Sequence, residues 1–116
     1  SENSLIINMR NLNVLTDYLQ KPEYLSPSGK VRHLILSEQG FNATNEDLQA
    51  DQIAKAYNIA KNNPYVEAFF LAREYDQPGE MHNVNGALQE MHFGLKEAYE
   101  RGGRPRKAYS VYKSLQ

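Results

Sequence analysis

The chain has 116 residues, of which 41% are hydrophobic and 23% charged, a composition suited to a globular domain. With no cysteine, it can build neither a disulfide scaffold nor a thiolate metal site. The net charge of −1 is spread along the sequence without a basic stripe, which argues against nucleic acid as a partner.

In chain order, Leu5-Ile6-Ile7 is a short apolar start that ends a strand or enters a helix. From Asn11 to Leu19, Leu12, Leu15 and Leu19 recur at spacings of three and four and, with Met9, make one helical face. Ser26-Pro27-Ser28-Gly29 is a turn by its residue types. Val31–Glu38 is the clearest strand. It is short, largely apolar and set between Gly29 and Gly40, as expected of a strand buried on both faces. Thr44 or Asn45 is placed to cap the next helix, and Glu46 and Asp47 complement the dipole of its first turn. Gln49, Ile53, Ala56, Tyr57 and Ala60 form its stripe, and Asn62-Asn63-Pro64 stops it.

A second strand is expected over Val66–Ala72. Arg73–His92 reads as a long polar loop with some helix. Pro105 suits the first turn of a last helix with the face Ala108, Val111, Tyr112 and Leu115. Helices and strands that alternate in this way indicate an α/β protein with parallel strands and helical crossovers. Two or three strands do not close a sheet, so the chain is expected to be a single partial domain over residues 1–116. Either the missing part of the sheet or another chain would cover its open edges. No apolar run reaches the roughly 18 residues that suggest a membrane span.

Chemistry in parallel α/β proteins sits where strands end. Glu38 follows Leu34-Ile35-Leu36 directly, so its carboxyl group would be partly desolvated, with Gly40 allowing a tight turn beside it. A carboxylate so placed can serve as nucleophile or general acid in acetal chemistry. The plain alternative is a strand-end carboxylate that meets solvent. Arg73, Tyr75 and Asp76 end the second strand. Arg73 could hold a carboxylate ionised and Tyr75 could stack on a sugar face; the alternative is a solvated loop with an Arg–Asp pair. Glu80, His82, Glu90 and His92 match no metal motif in their spacing, and no metal is expected. His33 reads as a structural histidine, and Tyr57, Tyr99, Tyr109 and Tyr112 as packing residues. There is neither a phosphate-cradling glycine loop nor, since Ser37 lacks the flanking glycines, a nucleophile elbow, and no cofactor is expected.

The run Val31–Phe41, with its Ser37-Glu38-Gln39-Gly40-Phe41 end, resembles the seventh strand of a bacterial family of glycoside-hydrolase-like (β/α)8 barrels related to the clan A hydrolases. Asn11–Leu19 is similar to the helix before that strand, and Gln49–Ala54 to the helix after it. Ala68–Arg73 with Asp76 is similar to the eighth strand and its rim, and His92–Leu95 and Lys107–Lys113 resemble the closing segments. The resemblance implies that this chain is the C-terminal part of a TIM (β/α)8 barrel, about strands 7 and 8 with their flanking helices.

It further implies that Glu38 is the nucleophile of a retaining hydrolase acting on polysaccharide or oligosaccharide, with Arg73, Tyr75 and Asp76 shaping the carbohydrate subsite. The acid/base of such barrels is a Glu ending the fourth strand, and nothing here corresponds to it. Retaining chemistry needs two carboxyl groups about 5–5.5 Å apart, so this chain alone is expected to be inactive. A complete barrel takes about 250 residues. Other readings are a carbohydrate-binding barrel without chemistry and a small α/β interaction domain. A secreted or periplasmic location is what action on polysaccharide would suggest.

Overall fold

The computed structural model describes residues 8–116, except for the side chains of Glu38 and Gln39. The apolar start Leu5-Ile6-Ile7 lies outside the described residues. Helix α1 spans Leu12–Tyr18, strand β1 Leu34–Gln39, helix α2 Glu46–Lys61 and strand β2 Val66–Leu71. Strands β3 (Met81–Val84) and β4 (Ala87–Glu90) follow, and helix α3 (Lys107–Leu115) closes the order. By its contacts the chain divides into two units. One is the described part of Ser1–Ser37 with Ala56–Phe69, and the other is Glu38–Lys55 with Phe70–Gln116.

Strands β1 and β2 are hydrogen-bonded neighbours in a two-stranded sheet. The Leu34 N–H donates to the Tyr65 carbonyl at 2.7 Å, which joins the start of one strand to the start of the other. Gly40, just past the end of β1, is packed so that a Cβ there would lie 3.4 Å from the Cβ of Ala72, just past the end of β2. Starts meet and ends meet, so the strands run in the same direction with α2 as their crossover.

The expectation of a strand over Val31–Glu38 buried on both faces needs two corrections. Pairing begins at Leu34, because β2 offers its first partner only at Tyr65. In addition, Ile35 is 58% exposed, since nothing described covers that side of it. Accordingly His33 precedes β1 and is exposed, with its ring edge-on to Tyr65 at 5.9 Å.

In the first unit, Leu12 is buried and Met9, Leu15 and Leu19 are half-buried, which is the face that their spacing predicts. Thr16 anchors α1 by accepting from Asn63 Nδ2 at 3.0 Å, and Asn63 Oδ1 accepts from the Tyr65 N–H at 3.0 Å. Asn63, just past the end of α2, thus ties α1 to the start of the next segment with one side chain. The predicted turn is present: Gly29 donates to the Ser26 carbonyl at 2.8 Å, with φ +80°.

In the second unit, α2 carries Gln49, Ala50 and Ile53 inward, all nearly inaccessible. Its N-cap is Asn45, whose Oδ1 accepts from the Leu48 N–H at 3.0 Å. Ala50, Ile53, Leu95 and Ala108 form the core, with Phe41, Leu71, Tyr109, Val111 and Tyr112 packed against it. Full burial of Ile53 is worth about 1.5–3 kcal/mol.

Arg73–His92 contains no helix, contrary to expectation. It holds the antiparallel hairpin β3–β4, paired from Met81–Glu90 to Val84–Ala87. Its two turn residues, Asn85 at φ +52° and Gly86 at φ +87°, have the left-handed geometry of a type I′ turn. Pro105 does not sit in the first turn of α3 either. Lys96 and Pro105 form an isolated antiparallel bridge, and the Arg106 N–H donates to the Leu95 carbonyl at 2.9 Å, so the helix starts only at Lys107. Among the described residues no helix is long and apolar enough to cross a membrane.

Candidate functional site

The ends of β1 and β2 lead into loops that are tied together by one buried polar cluster. The loop after β1 is fixed first: the His92 N–H donates to Asn42 Oδ1 and the Ala43 N–H to the His92 carbonyl, both at 2.8 Å. The loop after β2 is fixed by a parallel bridge between Tyr75 and Lys96, with the Asp76 N–H donating to the Lys96 carbonyl at 3.1 Å. Gly94 lies in the crossing. A Cβ at that position would come within 2.4 Å of the Asp76 nitrogen and 2.5 Å of the Lys96 carbonyl oxygen, a space only glycine fits.

At the centre is Asp76, with its side chain 5% exposed. Oδ1 accepts from the Gly94 N–H and Arg106 Nη1, and Oδ2 from Arg106 Nη2, each at 2.7 Å. Oδ2 also meets His92 Nδ1 at 2.9 Å. Arg106 grips the carboxylate with both fork nitrogens and reaches the Gly94 carbonyl at 2.9 Å. Gln49 completes the cluster from α2, its Nε2 donating to the carbonyls of Phe41 at 3.1 Å and Gly94 at 3.0 Å. Burial works against the charge of Asp76, but the hydrogen bonds from Arg106, His92 and the Gly94 N–H outweigh it and hold the carboxyl group below its ordinary range.

The residues singled out in the sequence have different fates here. Glu38 is the penultimate residue of β1 by its backbone, and its side chain lies outside the described residues. Arg73 does hold a carboxylate, that of Glu80 at 2.9 Å, and also donates to Gln77 Oε1 at 2.9 Å. Tyr75 sits edge-on to Tyr99, with centroids 6.0 Å apart, and the Lys96 ammonium lies 5.0 Å from its ring centre. Asp76 is not a solvated loop residue. Its four acceptor positions are filled from within the chain, so it shapes the rim by holding other groups. The Arg–Asp pair in this region is therefore Asp76–Arg106, with Arg73 paired elsewhere.

The remaining candidates are also paired. Glu90 takes both fork nitrogens of Arg101 and the N–H of Gly79, which lower its pKa to about 2. The rings of His82 and Phe93 lie 5.8 Å apart. Among the described residues, no three His, Asp or Glu side chains are grouped as a metal site would need. Tyr109 lies beneath the Lys96 ammonium at 4.6 Å, and Tyr57 is edge-on to Phe69 at 6.1 Å, both packing roles. Two residues of the cluster, Arg106 and Gly94, carry no spacing signal. Arg106 lies 30 positions from its partner, and a lone glycine does not announce which backbone it will meet.

The fold and rim therefore define a β–α–β unit whose strand-end loops are locked by a buried Asp–Arg pair. Over residues 1–116 the chain belongs to a family of unknown function, DUF5722. No curated protein and no solved structure matches it.

Proposed function

We propose that this chain is the C-terminal part of a glycoside-hydrolase-like (β/α)8 barrel acting on polysaccharide or oligosaccharide, with β1 and β2 as its seventh and eighth strands. The observation that carries the reading is the position of Glu38, one residue from the end of a parallel strand whose following loop is fixed at Asn42 and Ala43. Carboxylates that act on acetals are held at such strand ends. Exposed Ile35 and Phe70, on the two strands, fit a sheet that continues beyond them, since parallel strands are covered on both faces.

In this reading Glu38 attacks the anomeric carbon, and a Glu on a fourth strand outside residues 1–116 protonates the leaving oxygen. Tyr75 and Arg73 border the subsite, and Asp76 sets the shape of the loops that carry them. The test is Glu38→Gln in the full-length protein, which is expected to abolish turnover while sugar binding persists. Turnover equal to the unmodified protein would overturn the assignment.

A further inference from the structure

Resting on that reading, we infer that His92 is a saccharide-binding residue of the rim, whose Nε2 accepts a hydrogen bond from a sugar hydroxyl beside the Glu38 subsite. Asp76 is ionised, gripped at 2.7 Å by both fork nitrogens of Arg106, and a carboxylate only accepts hydrogen bonds. His92 Nδ1, 2.9 Å from Asp76 Oδ2, must therefore carry the hydrogen. In the neutral ring this leaves Nε2 as a bare acceptor, the tautomer that an orienting carboxylate selects in many sites. Among the described residues Nε2 has no hydrogen-bond partner.

The residue is also held more firmly than its exposure would suggest. Its ring is 31% exposed, yet its N–H, carbonyl and Nδ1 are all bonded, to Asn42, Ala43 and Asp76. A partly exposed side chain so fixed presents its free nitrogen in one direction, which is what recognition of a hydroxyl requires. The same bonds put His92 against the loop that leaves Glu38, four and five residues after it in the chain. A sugar ring bound at Glu38 would bring its hydroxyls to this loop.

The deciding variant is His92→Asn in the full-length protein, because the Asn amide can replace Nδ1–H toward Asp76 but puts nothing in the place of Nε2. Binding is measured against a panel of soluble oligosaccharides, with turnover on their nitrophenyl glycosides. The expected result is an unchanged unfolding midpoint with Kd and KM raised roughly three- to tenfold, the loss of one neutral hydrogen bond. Imidazole 15N spectra of the unmodified protein supply a second measure that does not depend on how the variant folds. Adding oligosaccharide should shift Nε2 and leave Nδ1 in place, and an unshifted Nε2 would overturn the inference. Wild-type affinity in His92→Asn would also overturn it, while the hydrolase reading would stand if Glu38→Gln still abolished turnover. Failure of the unmodified protein to bind any of the panel would bring down both.

Discussion

Replacing Asp76 with Asn keeps the shape of the side chain and removes its charge. Arg106, only 7% exposed at its side chain, would then be a buried cation without a counterion. The new amide would also point hydrogens toward groups that donate, Arg106 Nη2 and His92 Nδ1. Breaking a buried pair from one side costs about 3–5 kcal/mol. With a urea dependence of about 3 kcal/mol per molar, that lowers the unfolding midpoint by about 1–1.7 M. The control is Asp51→Asn, which removes the exposed Lys55–Asp51 pair on α2 and should cost no more than about 0.5 kcal/mol. The pH dependence has a fixed sign. The pKa of Asp76 in the folded chain lies below its ordinary value of 3.8, so its contribution is complete above that value and disappears as pH falls through the folded pKa. The gap between wild type and Asp76→Asn should therefore close in acid. A loss below about 1 kcal/mol at neutral pH would refute the claim that this pair locks the rim. So would a gap that widens as the pH falls.

Gly94→Ala should be at least as damaging, because its Cβ would overlap backbone atoms of both Tyr75 and Asp76, which no side-chain rotation relieves. Hydrogen exchange at residues 73–76 and 94–96 should speed up in that variant, and unchanged protection there would count against the crossing. Glu90, held near 2 by Arg101 and the Gly79 N–H, should titrate around that value by carboxyl 13C NMR, and move up toward 4.5 once Arg101 is replaced by Ala, with the Gly79 N–H still holding it somewhat lower. Its stabilising contribution is present above about 4.5 and lost as pH falls through about 2. A midpoint near 4.5 in the unmodified protein would show that the pair does not form in solution.

The legible parts of the sequence were those governed by local chemistry. The stripe from Gln49 to Ala60, the Asn45 cap and the Asn62-Asn63-Pro64 stop are each decided within a turn or two of chain, and α2 runs accordingly from Glu46 to Lys61. The start of strand β1 is not legible locally because pairing depends on where β2 begins, about 30 residues later. The hairpin passed for a loop because its strands lack the alternation that signals a buried face: all of its residues except Val84 and Glu90 are exposed. The one local signal for the hairpin is Asn85-Gly86, a two-residue turn signature. The rim was half legible. Strand-end position picked out Arg73, Tyr75 and Asp76, but charge alone could not tell which arginine would reach Asp76. Arg73 is three residues away and Arg106 thirty, and the fold chose the distant one.

The base of the hairpin has a consequence for how such chains can vary. The Met91 N–H donates to the Glu80 carbonyl at 2.7 Å, so the two ends of the excursion already touch before β3 and β4 begin. None of residues 81–89 contributes to the Asp76 cluster. These nine residues between two adjoining stems can be lengthened, trimmed or exchanged while the floor beneath them keeps its shape. The chain thus separates a part that must stay constant from an arm that is free to change what it reaches for.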